Sequence, residues 1–234
     1  MCRADGVFVI AEGRESYKLD TYGRIFAINR QTIVNDNLGA FSDIGRLFAS
    51  ASAQFEAQFL VDLLTANNGI GPVMSDTKKL FDAAHANLAT SGATISDTTL
   101  AAARLALRSQ KGLDGKTALD IASKFLVVPA ALETTAEKYL ASIYPAQAAN
   151  VNPFAGKLIL IVDPRLDAKS ATRWYVAADP NLMPSIEYAY LSGQEGVQVE
   201  SRAGFEVDGL QIRARLDFGA GALDYRGVYA NPGT

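Results

Sequence analysis

Few side chains in this chain could do chemistry, and they are scattered. His85 is its one imidazole and Cys2 its one thiol. The nearest acid to His85 is Asp82, three residues back in 81–88 (FDAAHANL), a spacing that puts both groups on one side of a helix. Such a pair would serve acid-base chemistry in a small carboxylate-based enzyme. A lone His with no Ser, Cys or ligand partner nearby is more commonly a hydrogen-bonded structural residue, and that is the expectation here. A thiol protease needs Cys with His, and a hydrolase triad needs Ser, His and an acid, so only one version of either could be built. Zinc would have to rest mostly on carboxylates, which seldom hold it in structural sites. The P-loop and the G-x-S-x-G elbow are both absent from the sequence. Gly69-Ile70-Gly71 and Gly219-Ala220-Gly221 lack the third glycine and the strand-then-helix setting of a dinucleotide site, so both read as turns. No catalytic, cofactor-binding or metal-ligating residue is expected, and no cofactor.

What remains is the framework that such residues would need. The chain has 234 residues, 22 Lys+Arg against 25 Asp+Glu, and 49% hydrophobic residues, enough apolar material for a real core in one large domain or two small ones. A net charge of -3 with no basic run gives no electrostatic footprint for tight nucleic-acid or anionic-membrane binding. One Cys allows no internal disulfide. No apolar segment is long enough to span a bilayer, and no secretory signal is visible, so a soluble, unsecreted protein is expected.

The residues 6–11 (GVFVIA), 17–19 and 23–34 (GRIFAINRQTIV) read as short strands joined by turns, too thin and polar to hold a core without a neighbour. Ser42 or Asp43 offers a helix cap, and Ile44, Leu47, Phe48, Ala51, Phe55, Phe59 and Leu63 recur at steps of three and four up to Asn67. That predicts one long helix on the order of 35 Å with a core-facing Phe stripe. Ser96-Asp97 caps a second helix running to Gln110. Leu113-Asp114-Gly115 is a turn. A strand ending at Val128, then Pro129, then a helix over 130–143 forms a physically sound junction. The run 157–162 (KLILIV) predicts a strand covered on both sides, and 173–178 and 185–191 predict further strands. Over 210–218, Leu210, Ile212, Ala214, Leu216 and Phe218 alternate with Gln211, Arg213, Arg215 and Asp217, the cleanest period-two pattern present. The class is α+β, with a long helix packed on mixed or antiparallel strands.

Four stretches carry a resemblance: 17–41 (YKLDTYGRIFAINRQTIVNDNLGAF), 81–88 (FDAAHANL), 124–136 (KFLVVPAALETTA) and 215–227 (RLDFGAGALDYRG). In this order they resemble the major capsid proteins of tailed bacteriophages and prophages, closest to Mu-like head subunits and to those fused to a ClpP-like prohead protease. The resemblance implies the Hong Kong 97-like capsid fold, with an extended loop, a long spine helix, and peripheral and axial domains. It places the N-terminal segment and extended loop at 1–41, the loop itself at 7–41. The peripheral domain falls at 42–115 with its spine helix at 43–67, the axial domain at 116–190, and the return strands and tail at 191–234. Such relatives carry upstream sequence, so the resemblance also implies a prophage remnant or an N-terminally truncated reading frame.

The function expected is therefore that of a structural head subunit. It self-assembles into pentamers and hexamers of an icosahedral shell enclosing DNA, without enzymatic activity. Its implied partners are further copies of itself and a scaffold or prohead protease, with no sequence-specific nucleic acid and no membrane. Its place is the virion capsid, after the bacterial host cytoplasm. Candidate intersubunit contacts are Arg24, Arg30, Asn35 and Asp36 on the loop and Arg213, Arg215 and Asp217 on the alternating strand. Two other readings stay open: a non-catalytic encapsulating shell or binding module on the same fold, and the small carboxylate enzyme built on His85.

Overall fold

The computed structural model describes residues 15–35, 44–141, 154, 156–204 and 208–234. Its strands are β1 (Asp20–Asn29), β2 (Ser123–Val128), β3 (Ile159–Val162), β4 (Trp174–Ala178), β5 (Ile186–Tyr190), β6 (Gln198–Gly204), β7 (Gly209–Ala222) and β8 (Val228–Asn231). They form two four-stranded sheets, β3-β2-β4-β8 and β1-β7-β5 with β6 also paired to β7. The chain divides into two compact units, one holding Leu64–Ile186 and Ala222–Thr234, the other Ser16–Leu63 and Glu187–Gly221. Each is assembled from segments distant in sequence.

In the larger unit the Asp97–Arg108 helix starts where local chemistry requires it. Ser96 accepts from the Thr99 N–H, and Thr99 answers to the Ser96 N–H, closing a capping box. Ile95 just before the cap and Leu100 just after it are buried in the same cluster, a hydrophobic staple that fixes the entry of the chain. The apolar face of the helix, Leu100, Ala103 and Leu107, packs with Leu126 and Val128 of β2, Trp174 and Val176 of β4 and Tyr229 of β8. Strand β2 runs parallel to β3 and antiparallel to β4, and β8 closes the sheet against β4. Residues 64–115 and the tail from Ala222 group with 116–186, because their apolar side chains complete that core.

Two further expectations shift in this unit. The 157–162 run is an edge strand beside β2 alone, and its Ile159 and Ile161 side chains, 52% and 42% accessible, lie on a face that the described residues leave open. The helix expected over 130–143 is split into a 3-10 turn, Ala130–Leu132, and an α-helix, Glu133–Leu140; Asp167 accepts from the N–H groups of Ala130 and Ala131 and fixes that start. Residues 142–150 lie outside the described residues.

In the smaller unit, β7 is the axis. It pairs antiparallel with β1 from Asp20↔Phe218 to Asn29↔Gly209, and with β6 from Gln198↔Arg215 to Gly204↔Gly209. The 23–34 segment is not one strand. Asn29 accepts from the N–H and hydroxyl of Thr32, an N-cap that turns Arg30–Val34 into a short helix. The long helix is Ile44–Leu64 and ends before Asn67, because Asn67 and Asn68 take left-handed backbone angles, φ 52° and 61°. Its Phe stripe is less buried than the spacing predicts, with Leu47 61% and Phe55 37% exposed. Phe59 meets Phe218 edge-on at 5.4 Å and joins Tyr22, Leu60, Leu63 and Tyr190 around Leu216, Phe218 and Ala220.

The alternation in β7 holds for Ile212, Ala214, Leu216 and Phe218, all buried, with Leu210 half-buried. The Gly219-Ala220-Gly221 cluster is not a turn: it continues the strand to Ala222. Glycine is required there by close approach, since a Cβ on Gly219 would stand 2.2 Å from the Lys18 carbonyl oxygen and one on Gly221 2.7 Å from Tyr17. The Gly69-Ile70-Gly71 cluster is a turn, both glycines having positive φ. The cap expected at Ser42 or Asp43, the strand at 6–11 and Cys2 lie outside the described residues.

Candidate functional site

The register of the smaller sheet sorts the candidate contact residues. Directly opposed residues in an antiparallel pair share a face, so Thr21, Gly23 and Ile25 of β1 lie with Asp217, Arg215 and Arg213. Arg213 is bonded to Glu200 across β6 at 2.6 Å. Arg215 lies 3.4 Å from Asp217 and donates to Gln194. Asp217 is buried and accepts from the Thr21 hydroxyl. These three residues form one polar face, already engaged within the chain. Arg24 stands opposite Ala214 and so belongs to the other face, where it borders an open groove of about 710 Å³ with Phe48, Phe55 and Val197. Arg30 lies 3.7 Å from Asp208, both side chains more than 70% exposed. Asn35 is exposed and its N–H donates to Gln31. Asp36 lies outside the described residues.

His85 does not pair with Asp82. The Asp82 carboxylate accepts from the Ala84 N–H and caps the Ala83–His85 turn, which turns it away from the ring. The imidazole is buried, with Nε2 2.7 Å from Asp76 Oδ2 and Nδ1 3.3 Å from the Leu80 carbonyl. Its ring stacks on Tyr225 at 3.8 Å and 3°. Gln110 donates to the His85 carbonyl, while Asn87 donates to the carbonyls of Leu80 and Tyr225. Partial burial works against ionising Asp76, but the His85 hydrogen bond and the Lys78 N–H outweigh it and hold its carboxyl below the usual range. Both ring nitrogens face protein acceptors, so the arrangement is a structural tie between loops.

A feature that the sequence reading passed over lies at the start of β4. Arg173 precedes the buried run Trp174-Tyr175-Val176, and its Nε and Nη1 are buried without a hydrogen-bond partner among the described residues. The Tyr175 hydroxyl, on a side chain 2% exposed, is buried beside that guanidinium. Both line a cavity of about 380 Å³ with Asn68, Lys169 and Ser170. The available signal was a cation set directly before an otherwise apolar buried strand.

Among the described residues these surfaces gather no catalytic set, so the chain's relatives carry the decision. A model of the phage capsid protein family matches residues 13–231. The chain belongs to the phage capsid protein family. The fold of this capsid protein agrees: it superposes on the capsid of Ralstonia phage GP4 with a TM-score of 0.63 at 15% identity, over 92% of this chain and 74% of that one. A chain of Mycobacterium phage Patience gives 0.61 at 9% identity, over 100% and 77%. An encapsulin complex from Synechococcus elongatus gives 0.54 at 11% identity, over 92% and 73%. At these identities the likeness is one of fold, the Hong Kong 97-like capsid fold that the sequence resemblance implied. No curated protein matches the capsid protein in sequence. Family membership makes it a structural subunit of a virion capsid, a shell built by self-assembly.

Proposed function

We propose that this capsid protein is the major head subunit of a prophage, closing through head-to-tail contacts into pentamers and hexamers of an icosahedral shell that encloses DNA. Heterologous contacts of this kind close into rings when the rotation permits. The subunit acts without catalysis, assembles in the host cytoplasm, and takes a scaffold or prohead protease as its assembly partner. The match of residues 13–231 to the capsid family carries this reading.

Within that reading, residues 7–41 act as the extended loop reaching a neighbouring subunit, the long helix is the spine, and the smaller unit takes the peripheral position. Support comes from apolar side chains left at the surface of that unit, Ile25 and Val34 at 71%, Leu47 at 61% and Phe26 at 50% exposed, since exposed apolar surface marks sites of protein association. Arg24, Arg30, Asn35, Asp36, Arg213, Arg215 and Asp217 remain the candidate rim contacts; those with partners inside the subunit would have to share or exchange them.

The test is expression of the complete reading frame in a bacterial host, followed by negative-stain electron microscopy and nucleic-acid extraction of the particles. Shells or rings are expected, with nuclease-protected DNA when packaging components are supplied. Shells that enclose a protein cargo instead would favour the encapsulating-compartment reading, and persistent monodisperse monomers would overturn both.

A further inference from the structure

The Arg173 cavity has the chemistry of an anion site. Among the described residues its lining includes the two cations Arg173 and Lys169, the hydroxyl-bearing Ser170 and Tyr175, Asn68 and Thr65, and none that is acidic. The guanidinium has been seated at a structural cost. It lies against Gly69, where a Cβ would stand 1.8 Å from Nη1 and 2.3 Å from Cζ, and Gly69 also holds a φ of 83°. No ion pair to Arg173 forms among the described residues, although a charge removed from water ordinarily demands a partner. Ser170 Oγ accepts from the Arg173 N–H at 3.2 Å, which leaves its own hydroxyl hydrogen to donate. The Tyr175 ring is held by Phe81, centroids 5.4 Å apart. Burial pushes the Tyr175 hydroxyl up to about 12, with the charge and hydrogen bond of the nearby Arg173 pulling the other way. The phenol is therefore a donor at neutral pH.

We propose that this cavity binds a phosphate group, held by Arg173 and Lys169 and by the hydroxyls of Tyr175 and Ser170. Two cations and two hydroxyl donors suit a multiply charged oxyanion with several acceptor oxygens. The same chemistry serves free inorganic phosphate and a phosphate of a nucleic-acid backbone; contact through a single phosphate reads no sequence. The inference concerns the subunit's own cavity and does not depend on shell formation.

Isothermal titration of the purified chain with inorganic phosphate, against chloride at matched ionic strength, tests it. Saturable binding is expected for the unaltered chain. Lys169→Gln, at an exposed position that leaves the fold intact, should weaken binding by roughly tenfold, the scale of one charge-assisted hydrogen bond. Arg173→Met should abolish it and, having removed guanidinium nitrogens buried without a hydrogen-bond partner among the described residues, should melt no lower than the unaltered chain in phosphate-free buffer. A short single-stranded oligonucleotide identifies the source: binding that phosphate displaces and Arg173→Met removes points to a backbone phosphate, while phosphate binding without oligonucleotide binding points to the free ion. Phosphate heats indistinguishable from chloride, or binding unchanged in both variants, would overturn the proposal.

Discussion

The rings of His85 and Tyr225 stack face to face, 3.8 Å between centroids and 3° from parallel, and so tie the loop after the 64–71 turn to the segment that leads into β8. The contact joins two ends of one core, and its loss should be felt globally. His85→Ala removes the stack and the imidazole beside the Asp76 carboxylate, while Asn87 still donates to the Leu80 carbonyl. Urea unfolding should show a loss of about 2–4 kcal/mol, the range for breaking a buried hydrogen-bonded network.

Acid should act on the same tie. The Asp76 carboxyl is held below its ordinary value in the folded chain, so its stabilising contribution is fully present above the unfolded value, near 4, and is lost as pH falls through the lower folded value. Unfolding midpoints measured from neutral pH downward should fall across that acid window. The Asp76→Asn variant should lose part of that dependence.

Two tyrosines in the smaller unit should titrate late. Tyr17 is raised to about 12, first by its hydrogen bond to Glu187 at 2.6 Å and then by burial. Tyr190 is raised to about 12 by burial and then by its bond to Glu56 at 2.7 Å. Because the folded values lie above the unfolded one near 10, this stabilisation is complete below pH 10 and is lost as pH climbs through 12. Ultraviolet titration should show phenolate appearing later than in free tyrosine, with Glu187→Gln and Glu56→Gln each advancing one phenol.

Gly219 should tolerate no side chain. The Lys18 backbone oxygen that a Cβ would meet at 2.2 Å belongs to main chain and cannot rotate away. Gly219→Ala should therefore cost about 1–3 kcal/mol, as overpacking does. Denaturant midpoints measured beside Gly45→Ala, where a Cβ meets nothing within 4 Å, provide the control.

Arg213 separates stability from assembly. Its pair with Glu200 is exposed, 49% and 60% for the two side chains, so Arg213→Ala should change subunit stability by less than about 1 kcal/mol. If the residue also meets a neighbouring subunit, particle yield should fall while the melting curve stays in place. Unchanged yield would remove Arg213 from the contact set.

What was legible in the sequence was what the chain settles locally. Ser96 and Thr99 announce their helix within four residues, and the alternation of Ile212, Ala214, Leu216 and Phe218 needs only β geometry. The missed strands are those whose partners are remote: β6 (QVESRAG) is polar and exists by pairing with β7, and β8 (VYAN) by pairing with β4. Gly219 and Gly221 look like a turn until the Lys18 main chain and the Tyr17 side chain are laid across them. The same holds at the sites. Asp82 is nearer to His85 in sequence, but Asp76 reaches it in space, and Arg173 gains its meaning only when the 64–71 turn folds against it. The polar alternation placed Arg213, Arg215 and Asp217 on one face, while the face of Arg24 was set by a register that sequence does not state.

The central claim, a head subunit that closes into a shell, is tested most directly by cryo-electron microscopy of particles from the complete reading frame. The account predicts copies of this chain around five-fold and six-fold axes, with residues 7–41 resting on an adjacent subunit. A preparation of monomers, or of closed oligomers lacking those axes, would contradict it.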